Sequence, residues 1–251
     1  MLSQFLLPQL FAFLLVFCRV GTAIMLLPGF SEAYVTARVR MMLAVFLSIL
    51  LVPVIHIQVP NSLPALFILI VAEILTGAFL GGLSRMLIST MHIAGSIIAY
   101  QSGLSAALTL GLGQLQGQDT ALGNLLTFTA VVLLFVTDLH HLMLRGLAGS
   151  YGLFTPGQFP SPGDFADHAA HTMSGAFSTA MQLAAPSLVV GMIMNLGAGI
   201  LSRLMPNLQI FFIMIAPQLM VGFLILMVTF SSIMLWYMDY FKDSLAVFLP
   251  P

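Results

Sequence analysis

Residues 63–82 read LPALFILIVAEILTGAFLGG, a run of twenty residues with a single charge, Glu73, and this run decides the fold class. A helix needs roughly 20 apolar residues to cross the ~30 Å hydrocarbon layer of a membrane. The run has that length and that composition. It therefore predicts a helix that spans a bilayer.

The composition extends this interpretation to the whole chain. Of its 251 residues, 60% are hydrophobic and 6% are charged, whereas about a quarter of the residues of a soluble domain are charged. The formal net charge is -1, and no stretch clusters Lys or Arg, so neither nucleic acid nor an anionic membrane surface is an expected partner. The chain is predicted to be an all-α integral membrane protein forming a single membrane domain over residues 1–251.

Further apolar runs, bounded by Pro, Gly or charged residues, indicate more helices. One of them, 97–112, mixes Ser, Gln and Thr with aliphatic residues, so it is expected to be a seventh helix buried among the others rather than exposed to lipid. The predicted helices lie near 5–27, 41–57, 63–82, 97–112, 122–137, 176–201 and 208–236.

Two charges lie inside predicted helices, Arg19 and Glu73. An isolated charge at membrane depth costs several kcal/mol, so each should face protein, water or an opposite charge. A pair between them is possible. A structural pair or a contact to another subunit is favoured over a proton path, because a proton-driven pump usually has more such residues.

Two groups of titratable residues could suggest a metal site. The run Thr137–His141 contains an aspartate and two adjacent histidines, but adjacent histidines project about 100° apart on a helix, so capping is favoured there. Asp164, Asp167, His168 and His171 share one helix face, where a solvated face is the simpler interpretation. No metal or cofactor is therefore predicted.

Glycine and methionine patterns indicate where helices pack. Gly77 and Gly81 form a Gly-x-x-x-Gly pair, and Gly191, Asn195 and Gly199 recur every four residues on one face. Met220, Met227 and Met234 recur every seven residues, for which ordinary core packing is favoured over an adaptable contact surface.

The segment 111–124 is rich in Gly and Gln and lies between apolar helices. Irregular backbone at membrane depth must line a cavity or be covered by protein. A surface hairpin loop and a loop that blocks a pore remain equally good interpretations. The usual motifs of nucleophilic, zinc and nucleotide chemistry are missing from the sequence, so no enzyme is predicted.

Taken in order, several of these residues resemble the FliR family, the export-gate subunits of flagellar type III secretion, whose injectisome relatives of the SctT and SpaR type share the same plan. The resemblance covers nearly the whole chain. The matching residues are Arg19-Val20-Gly21, Pro28, Phe30, Glu73, Gly77, Gly81, Gln101-Ser102-Gly103, Asp119, Thr137 to His141, Ala185-Pro186, Asn195, Gly199, Ser202-Arg203, Pro206, Pro217 and Gly222.

The resemblance implies helical hairpins packed into a larger hetero-oligomeric export gate in the bacterial inner membrane, within the flagellar basal body. FliP-like and FliQ-like subunits would be the direct partners, with FlhB-like and FlhA-like components nearby, and unfolded flagellar proteins would be the cargo. The predicted helices would then pack mainly against subunits, so they need not all be bilayer crossings. An injectisome gate subunit and a secondary small-solute transporter are the alternatives.

The resemblance also implies roles for individual residues. The loop would help to plug the closed pore, and subunit contacts would involve the packing residues, Arg203 and Pro206. One departure weakens that last assignment, because residues 206–209 read PNLQ where the family often has Pro-Gln-x-Asn. The implied plug residues are Gly111, Gly113, Gln116 and Asp119.

Overall fold

A computed structural model describes residues 2–55, 63–107, 121–154, 156, 162–205 and 209–246. This part of the chain contains seven α-helices of 15 residues or more and no β-strand. The helices are α1 (Leu2–Leu26), α2 (Ala37–Leu51), α3 (Leu63–Gln101), α4 (Ala121–Val136), α5 (Leu139–Leu153), α6 (Pro162–Leu204) and α7 (Ile210–Ala246).

The chain is an all-α, multi-pass membrane protein. Four helices, α1, α3, α6 and α7, are long and apolar enough to cross a bilayer. The pair α4 and α5 makes a fifth candidate, but its two helices are bent by 78° relative to each other, as in a broken span or a re-entrant loop. The described residues thus contain four or five candidate spans.

One helix, α3, replaces two predicted helices. The predicted helix 63–82 and the first part of 97–112 both belong to it, because the polar residues between them do not interrupt the helix. The hydroxyls of Ser84 and Ser96 donate hydrogen bonds to the carbonyls of Leu80 (3.1 Å) and His92 (2.8 Å) in the preceding turn. Hydroxyls satisfied in this way are compatible with a long apolar helix.

Helix α5 is the main element that the apolar-run criterion missed. It lies in the first part of the polar stretch 138–174, before the prolines, where the sequence predicted no helix, and it is amphipathic. Its buried residues recur at i, i+3, i+4, i+7 and i+8, the spacing of one helix face. They are Met143, Gly146, Leu147, Ser150 and Tyr151.

Other helix ends also differ from the prediction. The predicted helix 176–201 is the C-terminal part of α6, which begins at Pro162, and proline is favoured in a first helical turn because its missing N–H would be unpaired there anyway. The predicted helix 208–236 corresponds to α7, which continues to Ala246. The predicted loop 111–124 lies outside the described residues up to 120, and its last residues begin α4.

The chain divides into two compact units, each discontinuous in sequence. Unit 1 contains Met1–Leu87, Leu134–Met173 and Phe241–Pro251, and unit 2 contains Ile88–Leu133 and Ser174–Tyr240. Helices α3, α4, α6 and α7 contribute to both units. The prediction of a single domain over 1–251 stays a prediction.

Candidate functional site

In unit 1, α1 and α3 cross at unusually close range. A Cβ atom added at Gly77 would meet Thr22 Oγ1 and the backbone carbonyl of Arg19, and one added at Gly81 would lie 2.6 Å from Leu26 Cβ. Real Cβ atoms do not approach other atoms so closely, so only glycine permits this crossing. The predicted Gly-x-x-x-Gly pair packs against α1 of the same chain.

The close crossing positions the two intramembrane charges. Glu73 is four residues before Gly77 on the same face of α3, so it meets α1 beside Arg19. The guanidinium donates to both carboxylate oxygens, from Nε to Oε2 at 2.5 Å and from Nη2 to Oε1 at 3.1 Å. Both residues are 1% exposed. A bidentate pair with this burial needs further donors and acceptors around it to offset desolvation.

Helix α5 supplies those further partners. Arg19 Nη2 donates to the carbonyl of Phe154 at 3.1 Å, and Nη1 lies 3.4 Å from Ser150 Oγ. The guanidinium carbon also lies 4.1 Å from the centroid of the Tyr151 ring, which is cation–π geometry. Arg19 therefore ties α1, α3 and the end of α5 together, and we call Arg19, Glu73 and Gly77 with these α5 contacts the charged junction.

An aromatic cluster lies beside the charged junction in unit 1. Phe79 of α3 stacks on Phe165 of α6, with ring centroids 3.8 Å apart and planes 3° apart. Phe154 packs edge-on against both rings, at 6.4 Å and 5.4 Å. Phe154, whose carbonyl accepts a hydrogen bond from Arg19, is therefore also held in place by its own ring.

Unit 2 contains a polar seam where the end of α3 meets α6 and α7. Gln218 Nε2 donates to the carbonyl of Gln101 at 2.8 Å. A Cβ atom at Gly191 would meet the Gln101 side chain, and one at Gly222 would meet Ser102. Gly191 is therefore a packing glycine within this chain, as the sequence predicted only in general terms.

Of the methionine stripe predicted to pack in the core, Met234 is buried, but Met220 and Met227 are not, and two other predicted packing residues of unit 2 also lack close contacts with the rest of the chain. Nothing lies within 4 Å of a Cβ atom built at Gly199, and Asn195 is exposed on the same helix. The side chains of Met220 and Met227 on α7 are 75% and 84% exposed. We call Asn195, Gly199, Met220 and Met227 the open positions.

Arg203 is exposed near the end of α6. Pro206 lies outside the described residues, as do the four predicted plug residues. Those plug residues are Gly111, Gly113, Gln116 and Asp119.

The sequence reasoning missed three contributors to these contacts. Ser150 and Tyr151 belong to α5, and no local pattern links them to Arg19, which is more than 130 residues away in sequence. Gln218 did carry a signal, because a lone amide in a long apolar helix is expected to hydrogen-bond to another helix. The described side chains form helix junctions and open apolar faces, which is an arrangement suited to binding other helices.

The sequence matches known proteins along almost its full length. The family described as bacterial export proteins, family 1, matches residues 10–244. Flagellar biosynthetic protein FliR of Caulobacter vibrioides is 31% identical over 243 residues, covering 96% of each chain. The protein of the same name from Bacillus subtilis is 32% identical over 228 residues, covering 88% of this chain and 87% of the relative. That from Escherichia coli is 28% identical over 211 residues, covering 81% and 78%.

The family match includes segments of both units, among them the charged junction, the polar seam and the open positions. A match of this extent describes the chain as a whole rather than a shared motif. The chain belongs to the bacterial export proteins of family 1.

Proposed function

We propose that this chain is a non-enzymatic subunit of the flagellar protein export gate in the bacterial inner membrane, at the flagellar basal body. The observation that carries the proposal is the similarity, over 96% of the chain, to a relative named flagellar biosynthetic protein FliR. Relatives from Bacillus and Escherichia have the same flagellar name, which favours the flagellar system over an injectisome.

The open apolar faces of unit 2 support a role in binding other subunits. In the most apolar 18-residue stretch of each helix, only 22% of the residues of α6 and 17% of those of α7 are buried, against 39% for α3. Exposed apolar surface of this extent needs either lipid or protein as its partner. The small residues Gly197 and Gly199, which have free space above them, suit the close approach of another helix better than contact with lipid.

A groove between α6 and α7 gives one place for such a helix. Its volume is about 780 Å³, and Pro186, Val189, Leu224, Val228 and Trp236 are among its lining residues. Because Pro186 has no N–H, the carbonyl four residues earlier loses its usual helical donor. The surface of the groove is almost entirely apolar, so it fits the apolar face of another helix.

We propose that the helices docking there belong to FliP-like and FliQ-like subunits, with FlhB-like and FlhA-like components joining the same apparatus. Unfolded flagellar proteins would pass through the channel that the subunits form together. The chain then binds the other subunits and helps to close the channel, and neither task requires a catalytic group. The charged junction holds α1, α3 and α5 together within unit 1.

The decisive experiment combines secretion with a mass measurement. A strain lacking the gene should stop exporting flagellar subunits and should recover when the gene is restored. Gentle detergent extraction should release the chain in a hetero-oligomer with FliP-like and FliQ-like subunits. A lone monomer that moves small solutes in liposomes, with flagellar export intact in the deletion strain, would refute the proposal.

The loop 111–124 is proposed to obstruct the gate while it is closed. The resemblance to the FliR family supports this role, and so does the position of the loop in sequence between two apolar helices, α3 and α4. Deleting residues 113–118 should let the assembled gate leak ions in a conductance measurement, while the complex still assembles. Unchanged conductance would refute the plug.

A further inference from the structure

The turn between α4 and α5 brings together three side chains that can bind metal. Asp138, His140 and His141 each offer one ligand atom, and these atoms lie within 4.8 Å of one another. It is the one such group among the residues that the structure describes. The four residues Asp164, Asp167, His168 and His171, which share a helix face in sequence, are not gathered in this way.

The backbone at Asp138 is unusual. It has φ 59° and ψ 14°, and no other non-glycine residue in the described segments has a positive φ. Aspartate tolerates this left-handed conformation better than most residues. Asp138 occupies the N-cap position of α5, yet its side chain makes no capping hydrogen bond. The carboxylate is therefore not used in the way that usually explains an aspartate at this position.

The distance between Asp138 and His141 fits two ligands of one ion better than it fits a hydrogen bond. Asp138 Oδ1 and His141 Nδ1 are 3.5 Å apart, beyond the usual 2.7–3.2 Å of an N–H···O bond. Two ligands about 2.0–2.1 Å from a tetrahedral ion are separated by about 3.4 Å. An ion could therefore bind between these atoms with little movement of either side chain.

His140 completes the group. Adjacent histidines on a regular helix point apart, but here the two imidazole rings lie side by side, with centroids 4.1 Å apart. Phe135 also stacks on the His140 ring, with centroids 4.9 Å apart and planes 25° apart. Nδ1 of His140 is buried and has no hydrogen-bond partner among the described residues. A buried imidazole nitrogen without a partner points to a missing ligand.

We propose that Asp138, His140 and His141 bind one divalent transition-metal ion, with Zn²⁺ the best match. Two imidazoles and one carboxylate are ligands that zinc accepts in a tetrahedral site, where water would take the fourth position. The side chains of Asp138 and His141 are 78% and 63% exposed, so the described part of the chain does not block an ion from reaching them. Binding would join the Asp138 carboxylate to the first turn of α5 and so hold the bend. This goes beyond the proposed export function, which requires no metal.

The test uses the full-length chain in detergent, purified without a histidine tag and titrated with Co²⁺ as a spectroscopic substitute for zinc. We expect one Co²⁺ per chain, a strong visible absorption typical of tetrahedral cobalt, and displacement by Zn²⁺. Asp138→Asn keeps a residue that tolerates the left-handed conformation but weakens the ligand, and His141→Ala removes one. Each should weaken Co²⁺ binding at least tenfold.

The matched control is the double variant His168→Ala/His171→Ala, which removes two exposed histidines from α6 and should bind Co²⁺ like the wild type. Equal Co²⁺ binding by the wild type and a His140→Ala/His141→Ala variant would overturn the proposal. So would a weak octahedral spectrum in the wild type. If an alanine variant fails to fold, the affinity for Co²⁺ is measured on Asp138→Asn and His141→Gln instead, and both should bind it more weakly than the wild type. Because metal binding is measured directly, this result is independent of the secretion assay.

Discussion

Glycines in two regions of this chain meet opposite surroundings. At the charged junction of unit 1, Gly77 lies so close to α1 that no side chain fits, and the buried Arg19 is paired within the same chain. At the open positions of unit 2, Gly199 has free space above it, and Met227 is 84% exposed. The same sequence signal therefore marks an internal contact in one region and an unfilled surface in the other.

This difference separates residues that build the subunit from residues that are available to its partners. Substitutions at the charged junction should reduce the stability of the isolated chain. Substitutions at the open positions should leave the isolated chain intact and reduce assembly. The following predictions test that separation, beginning with the largest expected effect.

Breaking the ion pair should have the largest effect. Glu73→Leu leaves the Arg19 guanidinium buried without its carboxylate, which costs about 3–5 kcal/mol for a buried pair. We expect a large fall in the free energy of unfolding of the purified chain, measured by denaturant titration in detergent. The double variant Arg19→Met/Glu73→Leu should recover much of the loss, because it removes both charges. Equal stability of Glu73→Leu and wild type would contradict the central role of the pair.

Overpacking the helix crossing should have the next largest effect. In Gly77→Ala the new methyl group would collide with Thr22 and with the Arg19 carbonyl, and overpacking of this kind costs about 1–3 kcal/mol. The matched control is Gly82→Ala on the same helix, where nothing lies within 4 Å of the added atom. The control should equal or slightly exceed the wild type in unfolding free energy. Similar values for the two variants would show that α1 and α3 do not cross closely at Gly77.

Filling an open position should weaken assembly instead of folding. A Cβ atom at Gly199 has no atom of the described chain within 4 Å, so Gly199→Leu has room for its side chain and the unfolding curve of the isolated chain should not change. We expect affinity for the co-expressed FliP-like and FliQ-like subunits to fall at least tenfold, about 1.4 kcal/mol, because the leucine keeps partner helices apart. Gly152→Leu, at an open glycine of unit 1, serves as the control. An intact complex with Gly199→Leu would place the partner surface elsewhere.

The polar seam should contribute less. Gln218→Leu removes the hydrogen bond to the Gln101 carbonyl, and bonds of this kind between membrane helices contribute about 0.6 kcal/mol on average. A small decrease in the unfolding free energy of the isolated chain is expected. Gln182→Leu, which changes an exposed amide of α6, should cause no decrease. A loss of several kcal/mol with Gln218→Leu would mean that the seam is as important as the charged junction.

The smallest effect on stability is expected at Tyr151, whose ring contacts the Arg19 guanidinium. Tyr151→Phe keeps the aromatic face and removes a buried hydroxyl that has no hydrogen-bond partner among the described residues. The unfolding free energy should stay within about 0.5 kcal/mol of the wild type. A clear loss of stability would reveal a partner for the hydroxyl.

The fold class could be predicted from composition, but the helix boundaries could not. Counting apolar runs split α3, since Ser84, Arg85 and His92 lower local hydropathy although serine hydroxyls can be satisfied within a helix. The same criterion missed α5, because His140, His141 and Arg145 are polar. The buried face of α5 has helical periodicity, which apolar-run counting does not detect.

The sites were predictable only in part. The two lone charges were natural candidates for a pair because each is costly alone at membrane depth. Their α5 partners were not, since these contacts join residues far apart in sequence. The glycine patterns indicated close packing but not its partner, because a pattern on one helix carries no information about which chain covers it.

The lengths of the helices have one more consequence. Helix α6 has 43 residues and, at 1.5 Å per residue, follows a path about 64 Å long, roughly twice the ~30 Å of a hydrocarbon layer. Much of α6 must therefore extend beyond the lipid tails, since the stretch that gives this helix its mean hydropathy of 1.7 is only 18 residues long. Apolar side chains such as Phe177 and Leu204 are exposed along this long helix, so companions are expected to cover those that lie outside the lipid. We therefore expect proteases to remove the newly made chain quickly in cells that lack its companions.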